Sequence, residues 1–196
     1  MEMYPVILTG QVIRLEPLSL DHIPDLFKAG RDESIWKYMV YGSIGVMDDM
    51  RVWVEDLLNR QAQGTDLPFA VVLRETGIAI GATRYLDIRP DDRALEIGGT
   101  WYGTAYQRTG VNTEAKYLML RYAFERLGCV RVQLKTDMRN LRSQKAIERI
   151  GAVKEGVLRK HMILPDGYVR DSVIYSIIDT EWPSVKALLE EKMLVH

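Results

Sequence analysis

The feature that most restricts the fold is a change of hydrophobic period along the chain. Between residues 68 and 102 the apolar positions follow strand patterns three times in succession: "PFAVVLRE" (68–75), "IAIGATRYLDI" (78–88) and "ALEIGGTWY" (94–102). The first two meet at Thr76-Gly77, a turn-forming pair. The spacing then becomes helical, with Ala115, Leu118, Met119, Tyr122 and Ala123 on one face and Gly128 at the end. A strand "CVRVQLKTD" (129–137) follows, then a helix "NLRSQKAIERIG" (140–151) with Asn at its cap and Gly at its end. "VKEGVLRKHMIL" and "YVRDSVIYSII" read as a long hairpin about Pro165-Asp166-Gly167, and "EWPSVKALLEEKM" closes as a helix. Before residue 65, "QVIRLEPL" (11–18) alternates as a strand. "DHIPDLFKAG" (21–30) and "DESIWKYM" (32–39) read as helices, as does "DDMRVWVEDLLNRQAQG" (48–64), which spaces Met50, Trp53, Leu57 and Leu58 at helical intervals. The order is strand, helices, three strands, helix, strand, helix, two strands, helix. It predicts a mixed sheet with helices on both faces.

A chain of 196 residues suits one domain, 1–196, with a full core. Lys+Arg number 26 against 27 Asp+Glu, so no global basic field invites nucleic acid. Cys129 stands alone, which rules out an intrachain disulfide and points to a reduced compartment. His22, His161 and His196 lie far apart in sequence, so no metal is expected. "MEMYPVILTG" lacks the basic start and long apolar stretch of a signal peptide. No apolar run approaches the roughly 20 residues that cross a bilayer. The expectation is a cytoplasmic protein.

The most suggestive stretch is Gln107-Arg108-Thr109-Gly110-Val111-Asn112, between a strand and a helix. A helix start carries unpaired N–H groups and a partial positive charge, which suit phosphate oxygens. Gly110 would permit close backbone approach and unusual dihedrals, and Arg108 adds a charged donor. Read alone, the six residues are equally an ordinary loop with a glycine turn. Just upstream, Gly98-Gly99 inside a strand suggests a bulge or a close backbone approach. There is no Gly-x-Gly-x-x-Gly after a strand and no Gly-Lys-Ser/Thr, which removes the Rossmann and P-loop readings.

In company with its neighbours the stretch resembles the Gln/Arg-x-x-Gly-x-Gly/Ala signature of the GNAT acetyltransferases. "GQVIRLEPL", "EIGGTWY", "TEAKYLMLRYAFE", the set Asp137, Asn140, Ser143 and "AIERIGAVKEGVLRKHMILPDGYVRDSVIYSII" extend the likeness over nearly the whole chain. It is most similar to the RimJ/RimL branch of amino-terminal acetyltransferases. The resemblance implies a mixed, mostly antiparallel sheet of about seven strands, with acetyl-CoA as co-substrate. It implies direct attack by an amine in a ternary complex. Residues 107–113, including Thr113, would hold the pyrophosphate. Main-chain N–H groups at Thr100, Trp101 and Tyr102 would meet the pantetheine arm and the thioester carbonyl. Asn140 would bond the arm, and Ser143 would assist the leaving sulfur. Arg108, Arg142 and Lys145 are candidates to meet the cofactor's phosphates. Trp36, Tyr38 and Met39 fall where the family walls the acceptor cleft, although such residues are commonly core.

Two positions depart from the pattern. Asn112 stands where the family has Gly or Ala; it caps helices well but is expected to crowd the phosphates. Ile147 occupies the place of a tyrosine acid, which leaves Ser143 for that work. Glu96 alternates with Leu95 and Ile97 and so faces the other side of its strand. It is the candidate general base, acting directly or through one water, or else a structural carboxylate. Ser143 and Asn140 have the same double reading as plain helix-start residues. Freeing an amine of its proton at pH 7 costs about 1 kcal/mol for an α-amine and about 4.6 kcal/mol for lysine, so an α-amine needs only modest help. The acceptor is read as a protein amino terminus, with a polyamine, amino acid or antibiotic as the alternative. A non-catalytic acyl-CoA sensor or scaffold is a third reading. Monomer and homodimer are both open.

Overall fold

The computed structural model describes Met1 and residues 3–194; Glu2, Val195 and His196 lie outside the described residues. The elements are β1 (Leu8–Thr9), β2 (Ile13–Pro17), α1 (Ile23–Ala29), α2 (Met47–Ala62), β3 (Leu67–Leu73), β4 (Ala79–Arg89), β5 (Ala94–Tyr102), α3 (Val111–Glu125), β6 (Arg131–Asp137), α4 (Leu141–Arg149), β7 (Val153–Ile163), β8 (Val169–Ile178) and α5 (Trp182–Leu194). They form one eight-stranded sheet in the order β1-β2-β3-β4-β5-β6-β8-β7. β5 and β6 are parallel, and the other neighbours are antiparallel. Short turns join β3 to β4 and β4 to β5, whereas the α3 crossover lets β6 return in the direction of β5.

Alternation along the strands separates two cores. Tyr85, Leu95, Val132 and Tyr175 pack with α3, α4 and α5 on one face. Ala70, Val72, Ala82 and Trp101 pack with α1 and α2 on the other. The α1/α2 layer stops at β5. Beyond it, the same sheet face borders a cavity of about 500 Å³.

Four expectations from sequence are corrected. The sheet has an eighth strand: β1 pairs Leu8 with Leu15 through a tight turn at Gly10. Residues 32–39 are not a helix. They make one 3-10 turn, Glu33–Ile35, after which the Trp36 indole donates to Gly30 O at 2.8 Å and draws the chain into the core. α3 is not amphipathic, since Val111 and every residue from Thr113 to Leu120 are buried. Its two buried charges, Glu114 and Lys116, have long-range partners. Glu114 accepts from the backbone N–H groups of Gln11, Val12 (3.0 Å) and Ile13 (2.9 Å). A Cβ at Gly10 would lie 2.5 Å from the Glu114 carboxyl carbon, so this tether requires glycine there. Finally, β6 begins at Arg131, not Cys129, because Cys129 N–H still bonds back to Ala123 O.

Candidate active site

The cleft arises where the parallel pair comes apart. β5 and β6 are in register at Ala94–Arg131, Leu95–Val132 and Glu96–Gln133, and the pairing stops there. From Ile97 on, β5 has no strand partner on that side, so its main-chain groups are open to an amide-bearing ligand. β5 then leads into α3, and β6 leads into α4. Both helix starts therefore overlook the widening gap.

Between β5 and α3 the turn is built by side chains. Gln107 Nε2 donates to Tyr102 O at 3.0 Å, and its Oε1 accepts from Arg142 Nη1 at 2.7 Å. That bridge joins the start of α4 to the end of β5. Thr109 Oγ1 donates to Tyr106 O at 2.8 Å. The unusual dihedral falls at Arg108, with φ +62°, while Gly110 is ordinary helical backbone at φ −65°. The expectation for Gly110 is thereby corrected: the glycine opens the helix and the arginine makes the turn. Asn112 is engaged by a neighbour on β5. Its Oδ1 accepts from the Tyr102 hydroxyl at 3.2 Å, which turns the side chain toward β5. Burial pushes that hydroxyl's pKa well above its ordinary value. Val111 and Thr113 are buried beneath the cradle, whereas Arg108 and Lys145 are exposed.

The predicted bulge is present. Arg84 pairs with Gly98 but Ala82 pairs with Trp101, so β5 carries an extra residue, and Gly99 has φ +58°. Buried basic groups lie against it from both faces. On the α1/α2 face, Arg84 packs so closely that a Cβ at Gly99 would sit 2.9 Å from its Nη1. Arg84 Nε lies 2.7 Å from Asp66 Oδ2, and its Nη1 meets the Tyr41 hydroxyl. On the α3 face, Lys116 Nζ donates to Thr100 Oγ1 at 2.6 Å, and Thr100 Oγ1 lies 2.8 Å from Thr83 Oγ1. Lys116 is 5% exposed, and desolvation pulls its ammonium pKa down to about 7. Sequence reasoning missed Arg84 and Lys116. The Gly-Gly pair signalled the close approach, but nothing local named what approaches.

Glu96 is the last paired residue before β5 and β6 diverge, and it is 2% exposed. Its Oε2 accepts from Gln133 Nε2 at 2.9 Å and Lys135 Nζ at 3.1 Å. Oε1 accepts no hydrogen bond among the described residues. Glu96, Lys135 and His161 all line the 500 Å³ cavity. Between Leu158 and Met162, β7 spends four steps against two of β8, and Lys160 takes φ +50°. That irregularity brings His161 Nδ1 to 3.0 Å from Ser172 Oγ. Desolvation, then the nearby Lys135 and Arg170, lower the imidazole pKa.

On the β6 side, Asn140 Oδ1 accepts from Ser143 N–H at 3.0 Å and caps α4. The Ser143 hydroxyl has no partner among the described residues. Trp36 is buried against Trp101, ring centroids 5.0 Å apart, and belongs to the second core. Met39 is partly buried against that core. Tyr38 instead faces Arg139, whose guanidinium lies 5.5 Å from the Tyr38 centroid and 3.4 Å from that of Tyr168. Of the three early residues, Tyr38 alone thus meets the hairpin side of the cleft. Among the described residues there is no cluster of His, Cys, Asp and Glu able to hold a metal ion. No described helix is long and apolar enough to cross a membrane.

Comparison with known proteins gives the class. The family model described as an acetyltransferase (GNAT) domain matches residues 13–153, and the chain belongs to that family. A relative in Bacillus subtilis (strain 168), YdaF, is named provisionally as a ribosomal N-acetyltransferase. It is 34% identical over 95 residues, 48% of this chain and 51% of its own length, so the match spans about half of that relative. Uncharacterized N-acetyltransferase p20 of Bacillus licheniformis is 23% identical over 87% of this chain and 94% of its own. Among solved structures, a GCN5-related N-acetyltransferase from Brucella melitensis superposes with TM-score 0.90 at 28% identity, over 96% of this chain and 86% of that one.

Proposed function

We propose that this chain, as one domain over 1–196, moves an acetyl group from acetyl-CoA to a primary amine in the cytoplasm, the acceptor being a protein's N-terminal α-amine. The observation that carries the reading is the splayed β5–β6 pair, with an open main-chain edge leading to the 107–113 cradle. The pyrophosphate rests on the first turn of α3, with Arg108 and Lys145 within the solvent-facing rim. The pantetheine amides pair with β5 beyond Ile97. A main-chain N–H at the bulge polarises the thioester carbonyl; a preorganised donor of this kind is worth roughly 2.7–4 kcal/mol.

The neutral amine attacks the carbonyl carbon, forming C–N as C–S breaks. The amine's surplus proton passes to Glu96 Oε1, the carboxylate oxygen left open by Gln133 and Lys135, directly or through a water. The departing thiolate sulfur accepts a hydrogen bond from the Ser143 hydroxyl and takes its proton from solvent; the Asn140 cap holds the Ser143 backbone N–H at the start of α4. The name of the YdaF relative and the low cost of neutralising an α-amine favour a protein terminus.

Melting the protein with acetyl-CoA at about 100 times its dissociation constant should add about 2.7 kcal/mol, roughly 5–11 °C. CoA release is then followed with N-terminal peptides and with small amines. Glu96→Gln should lower turnover at least tenfold while that thermal shift persists. An unchanged rate removes Glu96 from the chemistry. A full thermal shift with no amine turned over replaces the transferase reading with an acyl-CoA sensor.

A further inference from the structure

On the acceptor side of the cleft the charges pair off almost completely. Asp137 is held by Arg139 at 2.7 Å, Glu96 by Lys135 at 3.1 Å, and Glu155 by Arg131 at 2.5 Å. Among the described residues one buried cation on this side is left over. Arg170, on β8, is 5% exposed and has no carboxylate within ion-pairing distance among the described residues. Only its Nε is used, donating to Ser172 Oγ at 3.0 Å. The four Nη hydrogens have no partner among the described residues. Both Nη atoms border open space.

A buried guanidinium without a counter-ion is costly, and removing it from water pulls its pKa below the usual value. A planar fork with its four outer donors unused matches a carboxylate, which takes two parallel N–H bonds from arginine. The neighbourhood fixes which molecule would bring one. Asp137 and Glu96 are the acids felt by Arg170, and each already has its own cation. Ser172 links Arg170 to His161, which lines the cavity together with Glu96. The β5–β6–β8 register puts Arg170 on the same sheet face as Glu96, so an acid group seated on Arg170 would share that face with an amine at Glu96.

We propose that Arg170 is the acceptor-reading residue of the cleft, and that the amine acceptor carries a carboxylate close to its amino group. This rests on the reading of the chain as an amine acetyltransferase. The carboxylate has two sources, a free amino acid or an acidic side chain at the start of a peptide.

The test measures CoA release in two arms. One compares L-amino acids with their decarboxylated amines. The other compares short peptides bearing Asp or Glu at the first two positions with the Asn and Gln counterparts. In one arm the carboxylate form should win by at least tenfold in kcat/KM. Arg170→Met should bring that ratio near one through KM, and Arg170→Lys should restore only part of it. A ratio near one in both arms for the native protein, or the same ratio in Arg170→Met, overturns the proposal. Melting the protein with CoA and the same compounds keeps the two readings apart. Where no amine is acetylated, the transferase reading fails. A carboxylate-dependent rise in Tm that Arg170→Met abolishes still supports the site, and no such rise overturns it. Should Arg170→Met fail to fold, Arg170→Gln takes its place.

Discussion

β3 and β7 belong to one sheet and obey opposite rules. β3 is buried along six of its seven residues, with apolar side chains toward both cores. β7 has eleven residues and not one is buried. β3 is held by what its side chains exclude from water. β7 is held by its ladder to β8, and that ladder is irregular at two places. The cleft lies between the two regimes. Its β5 wall is braced on both faces, by Arg84 on one and Lys116 on the other. On its hairpin side, β7 lies at the surface while β8 is buried along most of its length. The fold thus stiffens the β5 wall and leaves variation to the exposed β7 edge.

The contrast makes polar substitutions expensive on the braced side and cheap on the other. Glu114→Ala should show the largest effect. It strips the acceptor from the N–H groups of residues 11–13, of which that of Ile13 is buried, at about 3 kcal/mol, or roughly 6–12 °C in Tm. Gly99→Ala comes next, because φ +58° and the 2.9 Å approach to Arg84 both resist a methyl group. A loss of about 1–2 kcal/mol is expected, with turnover falling more than acetyl-CoA affinity. A Gly99→Ala protein with native stability and rate would mean the bulge is not braced.

Lys116→Met tests the brace through pH. The folded pKa near 7 lies below the unfolded value of 10.5, so the unfolded chain holds the extra proton between them, and stability rises with pH across that window. The cost of burying the ammonium is complete below about pH 7 and fades toward 10.5. Relative to Lys116→Met, the native protein should therefore gain Tm from pH 7 to 10. A constant difference would mean the amine is not desolvated.

The smallest effect belongs to β7. Arg131 holds the Glu155 carboxyl down to about 2 from 4.5. Its stabilisation is present above pH 4.5 and is lost as pH falls through 4.5 toward 2. Glu155 is largely open to solvent, so Arg131→Met should change stability at pH 7 by less than about 1 kcal/mol. A loss as large as that of Glu114→Ala would erase the difference between the two walls.

Much of the braced half was legible in the sequence because its signals are local. β5 runs from Ala94 to Tyr102 as its alternation predicts, the Gly98-Gly99 pair marks the bulge, and Asn140 caps α4. What stayed hidden depends on partners far away in sequence. Glu114 and Lys116 look like the solvated face of an amphipathic helix until β2 and β5 arrive beside them. The bond from the Tyr102 hydroxyl to the Asn112 amide oxygen links β5 to α3 in a way no local pattern announces. Arg108 carries the left-handed turn that a glycine nearby would seem to claim. The ion pair of Glu96 with Lys135 crosses from β5 to β6, so no spacing along either strand could announce it.

The Glu114 tether makes the amino-terminal turn a lever on the cradle. Residues 11–13 grip a helix at its first turn and a half, and that same first turn carries the proposed phosphate seat. Hydrogen exchange at the amides of 11–13 and at the start of α3 should therefore quicken together under mild denaturant. A ligand seated on α3 should slow both, although it touches only one.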